Sequence, residues 1–387
     1  MIRNKQPAQK SHLALAVLTM LVSTATAAQE SHSLLGTDCA ATQLWHCPDS
    51  ACESSVVTQP GNTVEPRTRR TFFLDCPSDY TPGAKVSIVL SLHGAGSYAN
   101  WQRNYFPVMD VKDKHKLVII TPGSPTRFWQ SEDDEYLQNT VDLVVGAVGK
   151  ENVENFILAG HSQGGMTSNR IICTPYFRDK VDVRISLSGG RIGPVTRPEG
   201  GFGFGRLPVY RTGEAASDSP TPRFPRSAAS GPPGGDCDYS FIFANGEYES
   251  IPGETSPLAE KYQCDARVQS KDVLDPRPGY VWDSTRQDPG SDGWGRYPRS
   301  GRAEVYQYPN CRDGRVVADV VKLMKGHTEG YEPNVTDKIM ELATSAAGGK
   351  IAKVDRVEWL YMPDAITALN ALQNGEVDFW ETPTPDL

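Results

Sequence analysis

The stretch Phe156-Ile157-Leu158-Ala159-Gly160-His161-Ser162-Gln163-Gly164 constrains the chain more tightly than any other. Four apolar residues run straight into a G-x-S-x-G pattern, which demands a sharp strand-to-helix turn that lifts the serine above a sheet. Gly160 and Gly164 leave room for the backbone crowded at such a turn. A chain with 35 glycines can produce the pattern by accident. Its setting gives it weight, because a buried strand precedes it and Met166 to Cys173 can form the helix that must follow.

The rest of the chain supplies the sheet that this turn needs. Apolar runs at Thr71 to Leu74, Val86 to Leu92, Leu117 to Thr121, Val153 to Ala159, Asp182 to Leu187, Tyr239 to Ala244, Ala303 to Tyr308 and Val316 to Leu323 read as strands. Helical patterns alternate with them, one through Tyr136, Val141, Val144 and Val148 and a last one from Val335 to Ala346 capped by Asn334. Near-continuous apolar strands are covered on both faces, so the expected class is α/β, a mostly parallel central sheet between layers of helices. With 387 residues, 38% of them hydrophobic, one large domain suffices. Residues 193–236, rich in Gly, Pro, Arg and Ser, read as a mobile surface insert rather than a lid. The aromatic stretch from Asp265 to Gly301, with Tyr280, Trp282, Trp294 and Tyr297, reads as a loop packed beside the site.

Arg3, Lys5 and Lys10, the apolar stretch Leu13 to Val22 and Ala25-Thr26-Ala27 have the layout of an export signal over residues 1–27, with mature protein beginning near Ala28. The apolar stretch is about half of the roughly 20 residues that cross a bilayer, so no membrane span is expected after its removal. Eight cysteines suit an oxidising compartment, in a polar extension over residues 28–65 and in the main domain over 66–347. Their spacings fit no zinc template, and pairing is expected within the cluster from Cys39 to Cys76 and between Cys264 and Cys311. A formal charge of -8 removes the basic footprint that nucleic-acid binding requires. Oligomeric state is not legible.

A serine hydroxyl needs a base, and seven histidines compete for the role. Only His327, in Lys325-Gly326-His327-Thr328-Glu329, follows both Ser162 and a late strand, as the chain order serine, acid, histidine requires. The acid should follow a strand between them. Phe241 to Ala244 provides the strand and Asn245-Gly246-Glu247-Tyr248-Glu249 the turn, with Glu249 the choice and Glu247 the reserve. Two backbone donors are expected for an oxyanion: the amide of Gln163, after the serine, and that of Ala95, in the loop after His93-Gly94. His93 is read as a support for that loop.

Ser-Leu-His-Gly at 91–94, Gly-His-Ser-Gln-Gly-Gly at 160–165 and Lys-Gly-His-Thr-Glu-Gly at 325–330 together resemble the secreted esterase group that includes feruloyl esterases and polyhydroxybutyrate depolymerases. The resemblance covers about residues 66–347. It implies the α/β-hydrolase fold and ester hydrolysis through an acyl-enzyme, on ester substrates that include polymers, without metal or organic cofactor. Asn245-Gly246 and a glutamate stand where that group would have a His-Gly turn leading to an aspartate. The same machinery would serve a peptidase or another acyl hydrolase; a non-catalytic binding protein would leave three ordered motifs idle. Residues 350–387, from Val354-Asp355-Arg356 to Gly375-Glu376-Val377-Asp378, resemble an internal piece of the periplasmic peptide-binding proteins of ABC transporters. So short a fragment buries no core of its own and is expected to be an appendage.

Overall fold

The computed structural model describes residues 32–40, 47, 54–197, 237–283, 293–295, 297–346 and, within the tail, 367, 370, 371 and 374. The expected export signal, most of the 193–236 insert and nearly all of the appendage lie outside these residues.

Nine strands form the body of an eleven-stranded sheet: β1 (Thr63–Val64), β2 (Thr71–Asp75), β3 (Val86–Leu92), β4 (Leu117–Pro122), β5 (Val153–His161), β6 (Val183–Leu187), β7 (Ser240–Gly246), β8 (Gly301–Tyr308) and β9 (Val317–Lys322). Their spatial order is β8-β9-β7-β6-β5-β3-β4-β2-β1. The six strands from β9 to β4 are parallel, whereas β8, β2 and β1 pair antiparallel at the margins, with Val268–Gln269 and Val273–Asp275 edging β8. The expected mostly parallel α/β sheet is therefore present.

Period-two alternation divides the core. Ile88, Leu90, Phe156 and Leu158 face a cluster with Tyr136, Leu137, Val141 and Val144 of helix α2 (Asp134–Val148). Val89, Ile157, Ala159 and Ile185 face another with Val335, Ile339 and Met340 of the last helix, Pro333–Ser345. That last helix starts differently from expectation. Pro333 takes the first turn, where its missing N–H costs nothing, and Glu332 holds the cap position without a side-chain cap. Asn334 instead donates its amide to the Leu274 carbonyl at 2.9 Å. Helix α1 (Ala99–Tyr105) and helix α3 (Gln163–Ile171) complete the elements around the site.

Three disulfides join described residues: Cys39–Cys76, Cys264–Cys311 and Cys173–Cys237. The last closes a loop of sequence separation 64 that holds the whole insert between α3 and β7. The first insert residues are also paired, since Val195–Thr196 lies antiparallel to Ile251–Pro252. No described helix is long and apolar enough to cross a membrane.

The segment after β6 is pinned by Arg191. Its guanidinium pairs with Asp319 of β9 through contacts of 2.8 and 2.9 Å and also donates to Pro194 O, Thr255 O, Gly253 O and the Tyr308 hydroxyl. The two side chains are 1% and 3% exposed. Burial raises the Asp319 carboxyl although the guanidinium pulls the other way, so without its partner it would be an uncompensated buried acid. Arg191→Met should lower stability by about 3–5 kcal/mol, read from the urea midpoint. A change under about 1 kcal/mol would contradict the pinning role.

Candidate active site

Strand β5 ends at His161 and α3 begins at Gln163, leaving Ser162 alone at the turn. Its backbone adopts φ 50 and ψ -116, left-handed and unfavourable for a residue with a Cβ. The turn is held by Ser162 N–H donating to Leu187 O at 2.9 Å and Met166 N–H to Ser162 O at 3.0 Å. A Cβ at Gly160 would lie 2.3 Å from the Gly164 carbonyl group, one at Gly164 2.3 Å from Leu92 O, and one at Gly165 2.6 Å from the Gly189 Cα. Only glycines permit the elbow to nest between β3 and the loop after β6.

The loop carrying Ala95 leans on the same elbow. A Cβ at Gly94 would lie 3.3 Å from the Ser162 Cβ. His93 is fully buried and braces the loop by its two nitrogens. Ser124 N–H donates to its Nε2 at 3.0 Å, so Nδ1 carries the proton and donates to Gly94 O at 2.8 Å. Trp129 packs on the ring at 4.6 Å and donates its indole N–H to His93 O. Burial pulls the imidazole down to about 4. The Gln163 side chain accepts Trp129 N–H at 3.1 Å, tying the start of α3 to this loop. Gln163 follows Ser162 directly, and Gly94, the residue before Ala95, packs against the Ser162 side chain.

His327 and Glu249 meet directly. His327 Nδ1 and Glu249 Oε2 are 2.6 Å apart, and Oε1 accepts the Ser188 hydroxyl at 2.7 Å and Gly246 N–H at 2.8 Å. A carboxylate only accepts, so Nδ1 holds the proton and Nε2 is the basic nitrogen. Burial alone would raise the Glu249 carboxyl. The adjacent His327, its hydrogen bond and the donors from Gly246 and Ser188 outweigh burial and hold it below its usual value. Glu247 points elsewhere and accepts Met324 N–H at 2.7 Å. The Asn245-Gly246 departure is accounted for locally. Asn245 closes the turn by donating to Ser250 O at 2.7 Å, and a Cβ at Gly246 would collide with Lys325 O at 2.3 Å, so the acid turn touches the histidine loop.

Described residues of the aromatic stretch pack here. Trp294 lies on His327 at 5.2 Å with its indole N–H on Asp283 at 2.8 Å, while His327 N–H and Thr328 N–H donate to Gly293 O and Trp294 O. Sequence reading missed Ser188 and Tyr105. Ser188 follows β6 with no motif around it, and Tyr105, whose hydroxyl donates to His327 O at 2.9 Å, is indistinguishable in sequence from a core aromatic on α1.

No family model matches the chain, and no curated protein matches it. Among solved structures it is similar to the acetyl xylan esterase from Aspergillus awamori, at 13% identity and TM-score 0.38 over 71% of this chain and 94% of that one. Two further similarities are to the fluorophosphonate-binding serine hydrolase FphF of Staphylococcus aureus, at 23% and 0.26 over 30% of this chain and 50% of that one, and to the esterase Est2 of Thermogutta terrifontis, at 15% and 0.24 over 30% and 48%. The chain spans about half the length of the latter two.

His93 makes acid stability testable. Its folded value near 4 lies below the unfolded value of about 6.5. The unfolded chain therefore binds more protons between these values, and the stabilisation present above about pH 6.5 is lost as pH falls toward 4. The urea midpoint should drop through that window. His93→Gln should be less stable near neutral pH yet fall less steeply, and an equal slope would contradict this source of acid sensitivity.

Proposed function

We propose that the chain is an exported serine carboxylic-ester hydrolase working through an acyl-enzyme. Ser162 Oγ attacks the ester carbonyl carbon while His327 Nε2 takes its proton. Glu249, bonded to Nδ1, keeps that nitrogen protonated and stabilises the imidazolium that forms. The amides of Gln163 and Ala95 receive the developing oxyanion, assisted by the positive end of α3. His327 then returns the proton to the departing alcohol, and water, activated by the same imidazole, releases the acid and restores the serine.

The observation that carries this reading is the 2.6 Å contact between His327 Nδ1 and a buried Glu249, in a chain whose Ser162 is held at φ 50 on a strand-to-helix elbow. Feruloyl or other acyl esters and hydroxyalkanoate-type polyesters are the proposed substrates, on the strength of the three motifs. Export over residues 1–27 is proposed from the pattern of the segment, and the three disulfides suit an oxidising destination.

Short p-nitrophenyl esters, methyl ferulate, hydroxybutyrate oligomers and an aminoacyl anilide separate the substrate classes, hydrolysis of the anilide alone marking a peptidase. Ser162→Ala should remove nearly all hydrolysis with the melting temperature unchanged. Glu249→Gln should lower kcat by on the order of 1,000-fold or more with little change in KM, while Glu247→Gln stays within a few fold of the parent. The reverse ranking of the two glutamates would transfer the role to Glu247, and an active Ser162→Ala would overturn the mechanism.

A further inference from the structure

The backbone carbonyl of His327 receives two donors, the Tyr105 hydroxyl at 2.9 Å and the His161 imidazole, whose Nε2 lies 3.0 Å away. A carbonyl oxygen only accepts, so His161 Nε2 carries a proton. Its other nitrogen, Nδ1, is buried without a hydrogen-bond partner, and Gly94 closes over it so tightly that a Cβ there would lie 2.8 Å away. A proton placed on Nδ1 would find no acceptor among the described residues. Burial, with His327 and Lys322 nearby, holds the His161 imidazole well below its usual value, so the ring is neutral in one fixed tautomer.

Ring packing leaves it little freedom. His161 lies 4.0 Å from the Tyr105 ring, 5.5 Å from Trp101 and 4.8 Å from His327, whose other side carries Trp294 at 5.2 Å. The base thus sits in a file of five aromatic rings. His161 is also the residue directly before Ser162 and the last of β5. One peptide unit thereby connects the nucleophile to a side chain that grips the backbone of the base. The acceptor that a buried N–H must find is here the backbone of the base itself, and a neutral ring does not repel the imidazolium that His327 becomes in each turnover.

We propose that His161 is a positioning residue, coupling His327 to the elbow so that base and nucleophile keep one separation through the reaction. This rests on the serine-hydrolase reading above. It goes further in giving the first variable residue of the G-x-S-x-G pattern a role in the geometry of proton transfer.

The test compares His161→Gln, whose amide nitrogen reaches about as far as Nε2, with His161→Asn, whose shorter amide reaches only to the Nδ1 position, and with His161→Leu, which has no donor. Steady-state hydrolysis of p-nitrophenyl acetate is measured alongside melting temperature. Asn and Leu variants should lose about tenfold or more in kcat with KM within about threefold, as a small misplacement of reacting groups does, and Gln should recover most of the loss. Should the Leu variant fail to fold, Gln against Asn decides, since both bury an amide of the same chemistry. Equal kcat for Gln and Asn, or a loss confined to KM, would overturn the proposal. An active Ser162→Ala would instead overturn the underlying mechanism, so the two failures are distinguishable.

Discussion

The close approach of three backbones at Gly160, Gly164 and Gly165 is the constraint on which the site depends. With contacts this short, the start of α3 touches β5, the end of β3 and the loop after β6 main chain to main chain, and no side chain can separate them. The φ of Ser162 is unfavourable by roughly 1–3 kcal/mol, and it persists because its surroundings determine it: the Leu187 carbonyl on one side, the first turn of α3 on the other. Exposing the serine oxygen beside the start of a helix follows from that geometry. The strain is offset by the buried apolar faces of a sheet that the turn itself completes.

A second constraint is electrostatic. The loop bearing His327 rests on an unusually charged interior. Lys322 is 1% exposed and lies 3.9 Å over the Tyr331 ring, donating to Glu329 O, and Lys325 pairs with Glu332 at 2.8 Å with both side chains buried. Burial lowers the Lys322 ammonium against the pull of Glu332 and Glu329. Such pairs contribute little net stability once desolvation is counted, but removing one partner is costly, so they hold a backbone to one arrangement. Here the arrangement is the one that puts His327 over Glu249. Beneath the opposite loop Arg184, also buried, spans Gly165 O at 3.0 Å and Ser168 Oγ at 3.2 Å, and braces α3 from below.

The parts of this molecule legible in its sequence are those where a local rule has one outcome. Apolar strands such as Phe156 to Ala159 and the glycine spacing of the elbow follow from sterics alone, and chain order after the serine singles out His327. Other parts depend on contacts distant in sequence. Nothing near Ser188 announces that its hydroxyl meets Glu249, and the antiparallel placement of β8 at the margin depends on which edge remains open once β9 has paired with β7. The Asn334 cap failed because Pro333 is better suited to the first helical turn and Asn334 finds the Leu274 carbonyl instead. The two glutamates of the acid turn could be ranked only by direction, since residues two apart after a strand diverge, and their partners, His327 for one and Met324 for the other, are set by the tertiary fold.

On the mechanism proposed here, Ser162 is a nucleophile made reactive by the His327–Glu249 pair. The most direct measurement is covalent: the protein is treated with a stoichiometric fluorophosphonate, digested, and the modified peptide located by mass spectrometry. A single phosphonyl group is expected on Ser162, formed in step with loss of hydrolysis and greatly slowed by His327→Gln. Modification at another residue accompanied by loss of activity, or full hydrolysis with Ser162 occupied, would contradict it.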